Sequence, residues 1–348
     1  MTTGQELRRV PLGSTDMEIS RVGFGAWAIG GGGWKNGWGD QDADEAIAAM
    51  RHAVEHGVNW IDTAPVYGLG RSEEIVGRAF AGTAADRPLI FTKCGLVFDV
   101  ERPDDGPHNV LAPASIRREV EDSLRRLQVE RIDLYQVHWP PNDGTPLEEY
   151  WATMVALERE GKVRAIGLSN HDAEQLAAAE RIGHVDTLQP QLSMIHRESG
   201  ADVIPAAADN GTAVIVYSPM QSGLLTGAMS AERVAALPDD DWRASADDFT
   251  GDNLRRNLEL AEALRPVADR LGVSVGAVAV AWTLSWPGVT GAIVGARSPR
   301  QVDGWLPAGS LELGVADLVE LTEAIESTGA GAGPLPAGLA DATGLVAR

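Results

Sequence analysis

The chain has 348 residues, 44% of them hydrophobic and 23% charged, with a formal net charge of -21. Such acidity argues against nucleic acid or an anionic membrane as partner, and it obliges any anionic ligand to find a local basic patch. The single cysteine, Cys94, excludes an intramolecular disulfide and a cysteine-rich metal site. Neither a signal-type apolar core nor a bilayer-spanning run is read, so the cytoplasm is the default expectation.

Between Arg8 and Arg21, short apolar runs flank Gly13-Ser14, which predicts a hairpin or plug. Val22-Gly23-Phe24-Gly25 reads as a short strand, followed by a loop rich in Gly and Trp up to Gly39. This loop lacks a Gly-Lys-Ser/Thr ending and a clean dinucleotide spacing, so a phosphate-loop reading is weak. Trp27, Trp34 and Trp38 suggest instead the mobile wall of an apolar pocket, or a cover over core. Asp42-Ala43-Asp44-Glu45 has the form of a capping box, with Ile47, Met50, Val54 and Val58 at helical spacing behind it. The next apolar run ends in Asp62-Thr63-Ala64-Pro65-Val66-Tyr67-Gly68. Pro65 disfavours helical geometry at Ala64, so Asp62 is placed at the carboxyl end of a strand and Tyr67 on the loop beyond it.

The alternation then repeats. Ser72-Glu73-Glu74 is read as the cap of a helix through Phe80, and Leu89 to Lys93 as a strand. Ser115 to Gln128 forms an amphipathic helix, with Ile116, Val120, Leu124 and Leu127 on one face. Strands follow at 132–138, 164–169, 187–189, 214–217 and 292–294, with helices at 147–160, 173–181 and 200–210 between them. Eight strand–helix units in one chain predict a closed α/β barrel of the (β/α)8 TIM type, 1–327 forming one domain behind the N-terminal hairpin. The long connections at 96–114 and 218–252 are expected to be functional walls at the C-terminal face. Residues 328–348, rich in Gly, Ala and Pro, are expected to be flexible or draped over the barrel mouth.

Asp62, Lys93 and His138 fall at strand ends, and Tyr67 just past one of them. In such a barrel these ends converge on the face where chemistry is done. A Lys beside a Tyr favours the phenolate and lowers a pKa that is otherwise about 10. Asp62 can keep the ammonium charged, and His138 can donate or accept near the same point. A tuned Tyr beside a Lys and a His suits protonation of a carbonyl oxygen. His138 has no neighbour at metal-ligand spacing, so no metal is expected. Cys94, next to Lys93, is expected to face away from it and to serve packing.

These residues carry a resemblance. The segment Asp62 to Gly68, Thr92-Lys93, Ile132 to Trp139 and Gly161 to Asn170 together resemble the aldo-keto reductase superfamily in order, over about residues 20–327. Within it the chain is similar to bacterial reductases grouped with general stress proteins. The resemblance implies that Tyr67, Asp62, Lys93 and His138 form a catalytic tetrad with Tyr67 as general acid. It also implies NADPH or NADP as cofactor, with NAD possible, bound without a Rossmann fingerprint. Ser169, Asn170 and Gln191 match the groups that hold the carboxamide, with Gln189 a second amide close by. Tyr217 matches the ring that stacks on the nicotinamide. Ser218, Gly223, Leu224 and Leu225 resemble the loop that crosses the pyrophosphate. Gly295, Arg297, Ser298, Arg300 and Gln301 resemble the adenosine-phosphate site, Ser298 capping the next helix and the two Arg residues supplying positive charge. Gly304-Trp305 stands where many relatives have Glu-Asn, which softens the preference for NADP. Trp27, Trp34 and Trp139 would line the substrate pocket.

The expectation is an NADP(H)-dependent oxidoreductase that reduces an aldehyde or ketone, or oxidises the alcohol. Its partner is a small molecule, and a monomer is the simpler assembly. Two other readings are a cofactor-binding redox sensor with negligible turnover, and an aldolase using Lys93 as a Schiff base.

Overall fold

A computed structural model describes residues 7–82, 87–238 and 241–336. Eight parallel strands close into a barrel in chain order: β1 (Val22–Gly25), β2 (Trp60–Asp62), β3 (Leu89–Cys94), β4 (Ile132–Val137), β5 (Val163–Ser169), β6 (Thr187–Gln189), β7 (Ala213–Tyr217) and β8 (Val289–Gly295). Pairing of Val294 with Phe24 and of Gly295 with Gly25 closes β8 on β1. The connecting helices include α1 (Ala43–Glu55), α2 (Arg71–Phe80), α3 (Pro113–Leu127), α4 (Leu147–Arg159), α5 (Ala173–Glu180) and α6 (Val203–Asp209). Burial on both faces is why the strands read as nearly continuous apolar runs.

Strand alternation sorts the side chains. Ile61, Tyr135, Val137 and Leu188 join the outer core under the helices. Trp60, Phe91, Leu134, Ala165, Ala213, Ile215 and Ile293 form a separate apolar floor inside the barrel. Leu12, Met17 and Ile19 belong to the same floor, brought there by an antiparallel hairpin that pairs Arg9–Pro11 with Glu18–Ser20. The indole N–H of Trp60 donates to the Ser20 carbonyl at 2.8 Å, tying floor to hairpin. A Cβ on Gly23 would lie 2.2 Å from the Trp60 ring, so glycine in β1 makes the space for that indole.

Between β7 and β8 the chain adds α7 (Ala231–Ala235), α8 (Gly251–Ala263), α9 (Arg265–Leu271) and α10 (Val275–Leu284). α10 is buried at every position, so it has no polar stripe and no readable helical period. No helix among the described residues is by itself long and apolar enough to cross a membrane. After β8 come α11 (Pro299–Asp303) and α12 (Val315–Thr328).

Two capping expectations are corrected. Ser72 lies inside α2 and is buried, its hydroxyl donating to the Ala26 carbonyl at 2.8 Å, while Gly70 takes the N-cap position at φ 100°. Ser298 occupies the N-cap of α11, but its side chain makes no capping bond. The wall at 96–114 holds a small antiparallel pair of Leu96–Val97 with His108–Asn109. Beyond α12, Ala332 pairs its backbone with Ile195 and Arg197, and the buried Arg197 guanidinium bonds the carbonyls of Ala330, Gly333 and Pro334. Residues 337–348 lie outside the described residues.

Candidate active site

Above the apolar floor the barrel interior turns polar. Lys93, fully buried, reaches from β3 toward the end of β2. Its ammonium has three protons to place. It donates to Asp62 Oδ1 at 2.5 Å, to the Thr63 carbonyl at 2.9 Å and to the Tyr67 phenol oxygen at 3.3 Å. Burial alone would lower the pKa of this amine, but Asp62 and Tyr67 outweigh it and raise it, so Lys93 is held as a cation. Its charge also sits 5.0 Å from the centre of the Tyr67 ring.

The net effect on Tyr67 differs from the sequence expectation. Burial raises the phenol pKa more than the Lys93 ammonium lowers it, and Asp62 adds to the rise. Tyr67 is therefore a neutral phenol well beyond neutral pH. Its oxygen accepts from Lys93, which leaves its own proton free to be donated. His138 presents its ring edge-on to Tyr67 at 5.7 Å. Burial, helped by the Lys93 charge, holds the His138 pKa well below the usual range, so the imidazole is neutral. The four residues from four positions in sequence thus meet at one end of the barrel.

Tyr67 is presented by a tight crossing of two loops. Gly68 adopts φ 63°, and a Cβ there would lie 2.2 Å from the Gly30 carbonyl oxygen. The Gly-rich loop after β1 is thus used for close backbone approach to the Tyr67 turn. Trp34, expected in the pocket wall, is buried in a small cluster against which Trp27 and Tyr67 also pack. It packs in a small core with Ala64, Val66 and Leu96, and its indole N–H is on the Gly31 carbonyl. Trp27 does face the site, stacked on Tyr67 at 6.2 Å. Trp139, on the loop after β4, is 44% exposed. Trp242 was missed by the sequence reading. It comes from the 218–252 wall, stacks on Trp27 at 5.5 Å and meets Trp38 edge-on at 5.8 Å.

The ends of β4 to β7 are laced together. Asn170, at φ 60°, donates to the His138 carbonyl at 3.0 Å and to Ser169 Oγ at 3.1 Å. Ser169 in turn donates to the Gln189 carbonyl. The Tyr217 hydroxyl donates to Asn170 Oδ1 at 2.8 Å, which anchors the tip of its side chain. Gln191 pairs with Tyr217 through the backbone and donates from its amide to Gln221. Gln189 points into the barrel and donates to Asp62 Oδ2 at 3.0 Å. Side-chain bonds thus join Ser169, Asn170 and Tyr217, while Gln191 meets Tyr217 through the backbone.

Of the residues expected to hold the phosphates, Arg297 and Gln301 are bonded to the protein. Ser218, Gln221, Ser222 and Gly223 all have positive φ, but the N–H groups of Gly223 and Leu225 both donate to the Met220 carbonyl at 3.1 Å. These two N–H groups are thus engaged within the loop itself. Arg297 is clasped by the loop after β1: it donates to Gln41 Oε1 at 2.6 Å, to the Trp38 carbonyl at 2.9 Å and to the Asp40 carbonyl. Arg297 N–H donates to Gln301 Oε1 at 2.8 Å, so Gln301 braces the same turn. Gly295 ends β8 in an exposed position, and Arg300 is exposed and in no ion pair among the described residues. No cluster of His, Cys, Asp and Glu that could hold a metal is found among the described residues. Cys94 faces the outer core, its thiol 3.9 Å from the Met154 sulfur.

Comparison with known proteins shows the family of the chain. The NADH-specific methylglyoxal reductase of Escherichia coli (strain K12) is 36% identical over 331 residues, covering 92% of this chain and 100% of that protein. An aldo-keto reductase of Bacillus subtilis (strain 168) is 37% identical over 323 residues, covering 91% and 93%. Among solved structures, the glycerol dehydrogenase of Gluconobacter oxydans superposes with a TM-score of 0.82 at 36% identity, over 96% of this chain and 98% of that one. The model of the Aldo/keto reductase family matches residues 21–326, which is the whole barrel described above, and the chain belongs to that family.

Proposed function

We propose that the protein interconverts a small carbonyl compound and its alcohol with a nicotinamide dinucleotide, Tyr67 acting as general acid in reduction and general base in oxidation. The observation that carries this reading is the placement of the three Lys93 protons. One of them lies on the Tyr67 oxygen, so the phenol proton is free for a substrate and the phenolate left behind meets a cation. Neutral His138 can donate an N–H to the same substrate oxygen and orient it. Asp62 keeps Lys93 charged and in place. The nicotinamide, when bound, supplies or accepts the hydride; Ser169, Asn170 and Gln191 would hold its carboxamide and Tyr217 its ring face.

For the phosphates the reading is NADP(H), with Arg300 and Ser298 available and Arg297 joining once its clasp opens. NADH is the second reading, favoured by the full engagement of Arg297 with Gln41, Trp38 and Asp40. The Escherichia coli relative, named as NADH-specific, points the same way. Trp27 and Trp242 wall the approach to Tyr67, with Trp139 at its rim, and suit a short aldehyde, ketone or polyol whose apolar face lies on indole. The Lys93–Asp62 ion pair weighs against the Schiff-base reading, because an amine must be neutral to attack.

The test is a panel of short aldehydes, ketones and polyols, followed at the reduced-nicotinamide absorbance with NADPH and NADH in parallel. Turnover of at least one aldehyde is expected. Tight binding of either cofactor with negligible turnover across the panel would favour the sensor reading instead.

A further inference from the structure

The polar layer beneath the tetrad contains a group of side chains with no task in the chemistry above. Gln136 lies on β4, two residues before His138, and is fully buried inside the barrel. Its amide nitrogen donates to Asp62 Oδ2 at 3.4 Å. Its amide oxygen accepts from Gln189 Nε2 at 3.2 Å and from Thr187 Oγ1 at 3.4 Å. Gln189 also donates to Asp62 Oδ2, at 3.0 Å. The two oxygens of Asp62 are therefore treated differently: Oδ1 takes Lys93, and Oδ2 takes only amides. The space for this arrangement is kept by Gly167 on β5, where a Cβ would lie 2.1 Å from Thr187 Oγ1 and 3.2 Å from Gln136 Cγ.

We infer that Gln136, which bonds Asp62 itself and holds the Gln189 amide beside it, is with Gln189 and Thr187 a positioning residue that sets how far the Lys93 ammonium reaches toward Tyr67. The physical argument is a competition for one cation. A buried ion pair is held at a useful geometry only when its remaining lone pairs are satisfied. With the amides on Oδ2, the carboxylate presents Oδ1 alone to Lys93. The ammonium then keeps a proton for the Tyr67 oxygen, the longest of its three bonds at 3.3 Å. Without them the carboxylate is free to turn both oxygens to Lys93 and draw it off the phenol. Tyr67 would lose a neighbour that lowers its pKa, against burial that already raises it.

This inference rests on the proposed roles of Tyr67, Lys93 and Asp62, and its test separates the two. The variants are Gln136→Met, which keeps the volume and removes the amide, and Thr187→Val, which removes the outer hydroxyl and keeps the shape. For each, kcat, cofactor affinity by fluorescence titration and the pH profile of kcat in the alcohol-oxidising direction would be measured. Gln136→Met is expected to lower kcat about tenfold, to leave the dissociation constant of the cofactor within about twofold, and to move the phenol-controlled limb to higher pH by about half a unit or more. Thr187→Val moves the same limb in the same direction by less. Gln136→Glu gives a third readout: protonated, the new carboxyl can donate to Asp62 as the amide does, so activity recovers relative to wild type as the pH falls. A limb unmoved in both Gln136→Met and Thr187→Val overturns the inference. If Gln136→Met does not fold, an unmoved limb in Thr187→Val overturns it alone. If Tyr67→Phe itself keeps wild-type turnover, the underlying reading has failed instead.

Discussion

At the scale of single residues, the site is governed by what happens when a charge is buried. Lys93 and Asp62 are both inside the barrel, and each is the other's main compensation. Removing one partner leaves an uncompensated charge, which typically costs 3–5 kcal/mol. Lys93→Met is therefore expected to lower the unfolding free energy by roughly that amount, and Lys93→Met combined with Asp62→Asn to recover part of it. Denaturant unfolding of the two variants checks this; a double variant no more stable than the single one would count against the pair. Asp62, Tyr67, Lys93 and His138 were legible because an ionisable side chain stood at the end of each apolar run or just beyond it. Gln136 was not singled out, although it is an amide in phase with His138 in a strand buried on both faces. Arg297 shows the other limit, since its partners Trp38, Asp40 and Gln41 lie on a distant loop whose path no local pattern records.

At the scale of elements, two contacts control how the strand ends are presented. The first is the crossing of the loop after β1 with the Tyr67 turn. Gly68→Ala puts a methyl against the Gly30 carbonyl at a residue with φ 63°. The left-handed conformation alone costs roughly 1 kcal/mol for alanine, while a displaced catalytic group can cost about a hundredfold in rate. Turnover is thus expected to fall at least tenfold while the melting temperature changes by only a few degrees. An active, normally stable Gly68→Ala would show that the crossing does not position Tyr67.

The second contact is made by Glu119 of α3, whose buried carboxylate accepts the Gly95 N–H just after β3 at 2.8 Å and the Ser115 hydroxyl at 3.0 Å. Burial raises its pKa to about 7, against the pull of those two donors. A carboxyl that holds its proton more tightly folded than unfolded loses stability as pH rises from its unfolded value toward 7. Wild type is expected to lose up to roughly 3 kcal/mol from this group across that window, and Glu119→Gln to flatten the loss. Melting curves between pH 4.5 and 8 decide it, and identical slopes for both proteins would remove Glu119 as the cause. At this scale the strands were legible as short apolar runs between turns. α10 was not, because a helix buried on every side has no face to reveal.

At the scale of the whole molecule, the fold separates support from chemistry along the barrel axis. The hairpin carrying Leu12, Met17 and Ile19 closes the bottom, and an apolar floor centred on Trp60 lies above it. Next comes the amide and ion-pair layer, and the open end carries Tyr67 and His138. Lys93 can remain a desolvated cation because the floor excludes water from below and Asp62 answers it from the side. The sequence reading reached this architecture because each strand of a parallel barrel is a short apolar run between recognisable helix caps and turns. It did not reach the joining of the two longest loops, where Trp242 from the 218–252 wall meets Trp27 and Trp38, since such contacts depend on three-dimensional closure and leave no period.

The central claim is that Tyr67 moves the proton. Tyr67→Phe keeps the ring on Trp27 and removes only the hydroxyl, so turnover of an aldehyde identified in the panel should fall by about a hundredfold or more. Cofactor affinity should stay within about twofold of wild type, because the hydroxyl is assigned no contact with the dinucleotide. A variant that turns over at the wild-type rate would contradict the account.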